Sequence, residues 1–307
     1  MLSDVRDTDL EGFLARLLAV EPSAVTATAD LRNDLHLDSL QQLELLVWLA
    51  ARGVDIDATP AGQIVTVADA CMLLDTARGS AGDGHPVVIR RRDVPPGPVT
   101  RAGVRSPRLH NGRFALRPVT PEYLPFLYEL AISEEIGFRW RFRGAVPNQE
   151  TFQAGLWQGV LAQFVVLLPA TGEPIGLVVA YNADTTRGIA YLAAVFTPDY
   201  LLTGLPASAV ELFVRYLFQV WNLRKLYMEM PEFNYELIAS GEGRRFDIEG
   251  RLRDFNYYDG RFWDEYLLAL CRHHVGLPPV PSTSHPVPVP GTPSLSGIPD
   301  FPTGAGT

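Results

Sequence analysis

Between Ser80 and Pro107 the chain carries Gly82, Gly84, Pro86, the run Arg90-Arg91-Arg92, Pro95-Pro96-Gly97-Pro98 and Pro107. Proline donates to no helix or sheet ladder, and glycine loses the most entropy on ordering. A stretch like this does not run through a core, so it divides the 307 residues into two units, each burying its own apolar face. The charge is split in the same way. Residues 1–79 hold 13 Asp and Glu against 5 Arg, nearly the whole net charge of −9. We read 1–79 as one domain, 80–107 as a linker with a basic spot, and 108–275 as a second domain. Residues 276–307 are mostly Pro, Gly, Ser and Thr. They have too little apolar surface to offset ordering and are expected to be disordered.

Composition excludes several classes. With 47% hydrophobic and 20% charged residues the chain is globular. No window approaches the roughly 20 apolar residues of a membrane span, and Met1-Leu2-Ser3-Asp4 is no basic, apolar leader. No membrane partner and a cytoplasmic location are expected. The negative charge speaks against a nucleic-acid partner. Cys71 and Cys271 form no disulfide framework and no Cys/His cluster, so no metal is expected. His110, His273 and His274 flank the second domain and read as terminal, not ligating. Of 26 basic residues only Lys225 is lysine, the one candidate for Schiff-base chemistry.

In the first domain, Leu10, Phe13, Leu14, Leu17 and Leu18 recur at helical spacing. A polar loop, Ser23 to Asp34, precedes Leu37-Asp38-Ser39-Leu40 and a run of helix formers that Gly53 stops. A last helix spans Val67 to Leu74, with Thr66 as its N-cap. The expectation is an all-α four-helix bundle of three main helices and one short one. Ser39 stands at a loop-to-helix junction, where free N–H groups and the positive dipole end suit a phosphate ester. A plain N-cap is the alternative reading of the same residue.

Taken together, the Asp38-Ser39-Leu40 motif, the helix pattern, the acidity and the trailing Ile64-Val65-Thr66-Val67-Ala68-Asp69-Ala70 resemble an acyl carrier protein over residues 5–78. The resemblance implies a covalent 4′-phosphopantetheine on Ser39, with Asp38 and Leu40 completing the attachment motif. It also implies a phosphopantetheinyl transferase and an acyl-loading enzyme as partners. The family's usually acidic outward face after the serine reads here as Leu43, Glu44, Val47, Ala50 and Ala51, and only Glu44 is charged. An apolar exposed helix face suggests docking, with Leu43, Glu44 and Val47 as its candidates. The alternative is a rotated helix whose face is core.

The second domain opens with a strand pattern at Arg113 to Pro118, then a helix capped by Thr120. The basic, aromatic stretch Phe138-Arg139-Trp140-Arg141-Phe142-Arg143 follows. A helix is expected from Asn148 to Val160, then strands Phe164–Leu168, Ile175–Tyr181 and Ile189–Phe196. A long helix, Pro206 to Trp221, precedes a strand Leu226–Met230 and a short helix near Phe233–Ala239. Two strands joined at Asp259-Gly260 end the domain. This is a mixed α/β sheet rather than a βαβ repeat.

The order of elements, with Asn222-Leu223-Arg224-Lys225-Leu226-Tyr227-Met228-Glu229, Glu232-Phe233-Asn234 and Phe246 through Asp264, resembles the GNAT superfamily of acyltransferases over about residues 112–272. The fold class is thus a carrier bundle followed by a mixed α/β GNAT-like domain. The resemblance implies a fourth and fifth strand that splay apart, with pantetheine in the gap against Ala194 and Val195 and facing Asn234. It also implies a glycine-rich phosphate turn, which reads Leu201-Leu202-Thr203-Gly204-Leu205-Pro206-Ala207 here. Gly204 is kept, but Leu201 replaces the basic or amide residue, and Pro206 has no N–H to offer phosphate. The family's general-acid tyrosine falls on Gly241, and the glycine before Phe246 is Arg245.

Amine acylation needs a base. Glu229 is the first candidate, and Tyr191 acting through water is the second. Arg139, Arg141 and Arg143 receive an acidic acceptor or the acidic carrier, or else form a solvated loop. The function expected is transfer of an acyl group from the arm on Ser39 to an amine acceptor, with acyl-CoA as a second candidate donor, in secondary-metabolite or polyketide-type biosynthesis. Two alternatives are a domain that loads acyl groups from acyl-CoA onto the carrier and a non-catalytic docking domain.

Overall fold

The computed structural model describes residues 9–56, 59, 63–80 and 107–278. Most of the linker and tail therefore lies outside the described residues.

In the first domain α1 (Leu10–Leu18), α2 (Ser39–Ala50) and α3 (Val67–Ser80) pack around Leu14, Leu45, Leu49 and Val67, all fully buried. Among the described residues of this domain, the 3-10 turn Pro22–Ala24 is the one short helical element. Phe13 stacks on Trp48 at 4.8 Å, and the Arg52 guanidinium covers the other part of that indole at 3.5 Å. Asp38, not Ser39, caps α2. Its Oδ1 accepts from the N–H groups of Leu40 (3.0 Å) and Gln41 (2.9 Å), while the Gln41 side chain accepts from the Asp38 N–H at 3.0 Å. This reciprocal cap satisfies N–H groups that the helix leaves open. Ser39 is the first helical residue.

The second domain is one seven-stranded sheet in the order β1-β2-β3-β4-β5-β7-β6. Its strands are β1 (Ala115–Pro118), β2 (Val160–Leu167), β3 (Pro174–Asp184), β4 (Ile189–Phe196), β5 (Lys225–Pro231), β6 (Asp247–Tyr258) and β7 (Arg261–Cys271). One face packs on α6 (Leu205–Val220) through Phe164, Leu192, Leu226 and Phe213. The other packs on α4 (Leu124–Ile132) and α5 (Gln149–Leu156) through Val165, Leu177, Val195 and Phe152. Alternate residues of each strand serve opposite faces. Burying a side chain such as Phe213 contributes about 1.5–3 kcal/mol.

Two local expectations need correction. The helix expected to reach Val160 ends at Leu156, because Gly159 turns the chain with φ +67° and Val160 already pairs with Tyr181 in β2. Thr120 makes no capping bond, and its hydroxyl is buried without a partner among the described residues. The Asp259-Gly260 turn closes the β6–β7 hairpin with positive φ at both residues, as a two-residue turn requires. The short helix α7 is only Glu232–Tyr235, followed by a separate 3-10 turn at Ala239–Gly241.

The strand that positions the site is β4. It pairs with β5 in parallel only from Ile189 to Tyr191, opposite Lys225 to Tyr227. Beyond that point the two strands diverge, and Leu192 to Phe196 have no strand partner on the β5 side among the described residues.

Candidate functional site

The gap between β4 and β5 opens into a cavity of about 510 Å³. Ala194, Val195, Met228, Glu229 and Asn234 line it, and so do Ser39, Leu40 and Leu43 of the first domain. The two domains therefore share one cavity, and α2 enters it with its N-terminus.

The contact between them is specific. The Ser39 N–H donates to the Leu237 carbonyl at 3.0 Å. Asp38 accepts from Ser240 twice, from its N–H at 2.9 Å and its hydroxyl at 2.8 Å. Glu44 pairs with Arg244 at 2.9 Å. Leu40 packs on the core of the second domain, not on its own. Leu43 is 8% exposed yet lies outside the first domain's core cluster. Val47, one turn further, is 61% exposed and stays in solvent.

Two glycines make this approach possible. At Gly241 an added Cβ would lie 2.3 Å from Leu40 Cδ1 and 2.7 Å from Phe246 Cε1, so a side chain there would force Leu40 or Phe246 to shift. At Gly204, with φ +71°, it would lie 3.0 Å from the backbone of Leu43. Gly204 is the N-cap of α6 and has no side chain to close that terminus. The α2 backbone thus sits over the turn that the GNAT resemblance assigns to a nucleotide's phosphates, and Pro206 lines the cavity next to it. The Leu40 side chain fills the space beside the position of the family's tyrosine.

On the opposite face of the sheet, alternation along β5 sends Glu229 and Tyr227 away from α6. Glu229 lines the cavity with Tyr181, Arg139, Trp140, Arg141 and Arg143. Desolvation, and then repulsion from Glu265, raise the Glu229 carboxyl above its ordinary value, with Arg143 opposing. Glu265 is buried on β7, accepts from Asn256 and lies 3.6 Å from Arg143. The Tyr181 hydroxyl is pushed up to about 12, first by burial and then by Glu229 and Tyr191, so it remains a proton-bearing donor. Tyr191 itself does not line the cavity. Its ring lies between Tyr181 at 5.8 Å and Tyr227 at 5.7 Å. Asn234 accepts from Arg139 at 2.8 Å, which fixes its amide beside the channel.

Other singled-out residues lie elsewhere. Lys225 is bonded to Glu249, which raises its pKa and holds it as an ammonium, a poor nucleophile. Cys271, His273 and His274 bring ligand atoms within 4.8 Å of one another. However, His274 already accepts from the Cys271 N–H at 2.9 Å and faces Asp247 at 3.5 Å.

Residues 9–71 match the family described as "Phosphopantetheine attachment site". Over 161 residues the chain is 24% identical to spermidine N(1)-acetyltransferase of Escherichia coli strain K12, covering 52% of this chain and 86% of that one. Residues 9–71 thus carry the mark of a phosphopantetheine attachment domain, and the C-terminal part is similar in sequence to an N-acetyltransferase of the GNAT type. Among solved structures, spermidine N-acetyltransferase from Vibrio cholerae in complex with CoA and spermine aligns at 20% identity. Its TM-score is 0.46, and the alignment covers 54% of this chain and 99% of that one. The spermidine/spermine N-acetyltransferase of the same organism in complex with manganese ions aligns at 20% identity and a TM-score of 0.44, covering 52% and 93%.

Ser39 fits a phosphopantetheine arm. It is 6% exposed at a helix N-terminus, and the cavity it lines is continuous with the unpaired edge of β4. Sequence reasoning did not find Tyr181, Glu265, Ser240 or the closeness of Gly241 to Leu40. Glu265 left one signal, a carboxylate embedded in a strand of Trp263, Tyr266 and Leu267. The other three depend on contacts between residues far apart in the chain, 202 positions in the case of Asp38 and Ser240.

Proposed function

We propose that this chain acylates an amine with an acyl group carried on its own Ser39, in cis, as one step of a carrier-based biosynthesis. A phosphopantetheinyl transferase and a separate acyl-loading enzyme prepare it. The observation that carries this reading is the shared cavity, with Ser39 at one end and Glu229 at the other.

The arm supplies an acyl thioester when it is bound. The chain's residues do the rest. The free N–H groups of Ala194 or Val195 polarise the acyl carbonyl, an electrostatic aid usually worth several kcal/mol in such sites. Glu229 takes a proton from the attacking amine, and its raised pKa makes it a stronger base than an ordinary carboxylate. The new C–N bond replaces the C–S bond, and the thiol is released. A thiol ionises at about 8.5, so the sulfur of the bound arm would leave and take up a proton from solvent without a dedicated acid, which accommodates glycine at 241. Tethering the carrier raises its effective concentration at the cleft.

Loading from free acyl-CoA is the weaker reading, because the α2 backbone lies 3.0 Å from where a Gly204 side chain would begin, over the nucleotide turn. The test is a single-turnover assay. The full chain, charged on Ser39 with an acyl-pantetheine and freed of CoA, is mixed with an amine panel that includes spermidine. Intact-protein mass spectrometry should show the acyl mass lost and the amide formed. Full turnover by Ser39→Ala supplied with acyl-CoA, or an arm that keeps its cargo against every amine, overturns the reading.

A further inference from the structure

Where the cavity opens on the α4–α5 face, two arginines line it without an ion-pair partner among the described residues. Arg139 is half-buried. It donates to the Phe233 carbonyl at 3.2 Å and to Asn234 Oδ1 at 2.8 Å, and its guanidinium lies 4.7 Å from the Phe138 ring centre. Arg141 donates to the Gly155 carbonyl. The third arginine of the segment, Arg143, is already matched by Glu265. Desolvation with no carboxylate nearby holds Arg139 and Arg141 below their ordinary values. A guanidinium does not shed its proton to relieve this, so at half-buried Arg139 the cost of burial stands until an anion arrives, while exposed Arg141 stands ready as a second donor.

The carboxylate lining that face is Glu229, which is drawn toward protonation and is suited to an amine. Cation-binding and anion-binding groups therefore share one vestibule, with the apolar Trp140 and Val160 also lining it. Ser39 and α2 meet the cavity beside α6, on the other side of the sheet.

We propose that the acceptor is an amine that also carries a carboxylate, held by Arg139 and Arg141 while its amino group faces Glu229. This rests on the reading of Glu229 as the amine side of the site. A polyamine, by contrast, would bring extra positive charge toward Arg139, Arg141 and Arg143. A carboxylate on the acyl chain would satisfy the same guanidiniums. The acceptor is favoured because the arginines share a sheet face with Glu229 and not with α6.

The test measures binding, which needs no turnover, so a chain that fails to transfer acyl groups still answers it. Full-length protein with its arm in place is titrated calorimetrically with β-alanine against propylamine, γ-aminobutyrate against butylamine, and spermidine. Charge-assisted hydrogen bonds of this kind predict a roughly ten- to hundred-fold tighter binding of each amino acid than of its matched amine. The preference should collapse in Arg139→Met/Arg141→Met and survive in part in Arg139→Lys. Arg141→Met alone, at an exposed position, should show a smaller loss even if the double variant does not fold. Equal affinities within each pair, tighter binding of spermidine, or a preference unmoved by these substitutions overturns the proposal. So does a Tm raised more by a succinyl than by a butyryl arm while the amine pairs bind alike, which assigns the carboxylate to the acyl chain.

Discussion

The two ends of the shared cavity are built from different physics. At the carrier end the contact is shape. Leu40 and Leu43 fit against two glycines, and hydrogen bonds with Leu237 and Ser240 fix Asp38 and Ser39. At the acceptor end the surface is charged. Glu229 and Glu265 repel each other, Arg143 offsets part of that, and Arg139 and Arg141 have no anion among the described residues. A shape-defined mouth excludes wrong partners by clash, whereas a charge-defined mouth sorts small molecules by their ionisation. Under the proposed function the carrier is a partner of fixed shape and the acceptor a small, diffusing amine, so each mouth would suit its own partner.

Four perturbations separate the two ends, from the largest expected effect to the smallest. Ser39→Ala should abolish attachment of the arm and all amide formation, because no other hydroxyl occupies the start of α2. Mass spectrometry after treatment with a phosphopantetheinyl transferase reads this directly. Glu229→Gln should lower the single-turnover rate by about 10²–10⁴ while the acyl-loaded chain stays intact, the usual range for loss of a general base. The same variant sharpens a pH argument. Glu229 accepts a proton only as carboxylate, and its pKa is raised above 4.5. Wild-type activity should therefore fall with decreasing pH at a higher point than an ordinary glutamate would give, and Glu229→Gln should lack that limb.

Gly241→Leu strikes the carrier end, although the new side chain also presses on Phe246, so the variant's own Tm is read alongside its rate. Overpacking against Leu40 costs about 1–3 kcal/mol, so docking in cis should weaken by roughly ten- to hundred-fold. Transfer should slow accordingly, with little change in the affinity for amines. A slower rate accompanied by equally weakened amine binding would show that the two ends are not separable. Glu44→Ala should have the smallest effect. Its partner Arg244 is half-exposed, and such pairs contribute about 0.2–1 kcal/mol, so the rate should drop by less than about five-fold at moderate salt.

Much of the fold was legible in the sequence because its signals are local. Leu10, Leu14, Leu45 and Leu49 have helical spacing, and the alternation through Ile189–Phe196 assigns its residues to two sheet faces. The turn at Asp259-Gly260 carries its own conformational demand. The start of α2 was legible too, although the capping role went to Asp38, whose carboxylate reaches two N–H groups that the Ser39 hydroxyl does not. The candidate base was half legible. The sequence placed Glu229 on β5 but left its side open. Tyr191 was a reasonable choice from its strand, yet Tyr181 on the neighbouring strand lines the cavity.

The sequence alone determined that there are two domains, that Ser39 begins a helix, and that a mixed sheet follows. Each of these follows from residues close together in the chain, where backbone geometry and side-chain periodicity act directly. Only the tertiary structure decided that Ser39 opens onto the gap between β4 and β5, that Leu40 stands where a side chain on Gly241 would be, and that Arg139 faces the cavity with no carboxylate beside it among the described residues. Those facts depend on surfaces brought together across a linker. A sequence pattern records which residues can be buried or charged; the complementarity of two folded surfaces decides which of them meet.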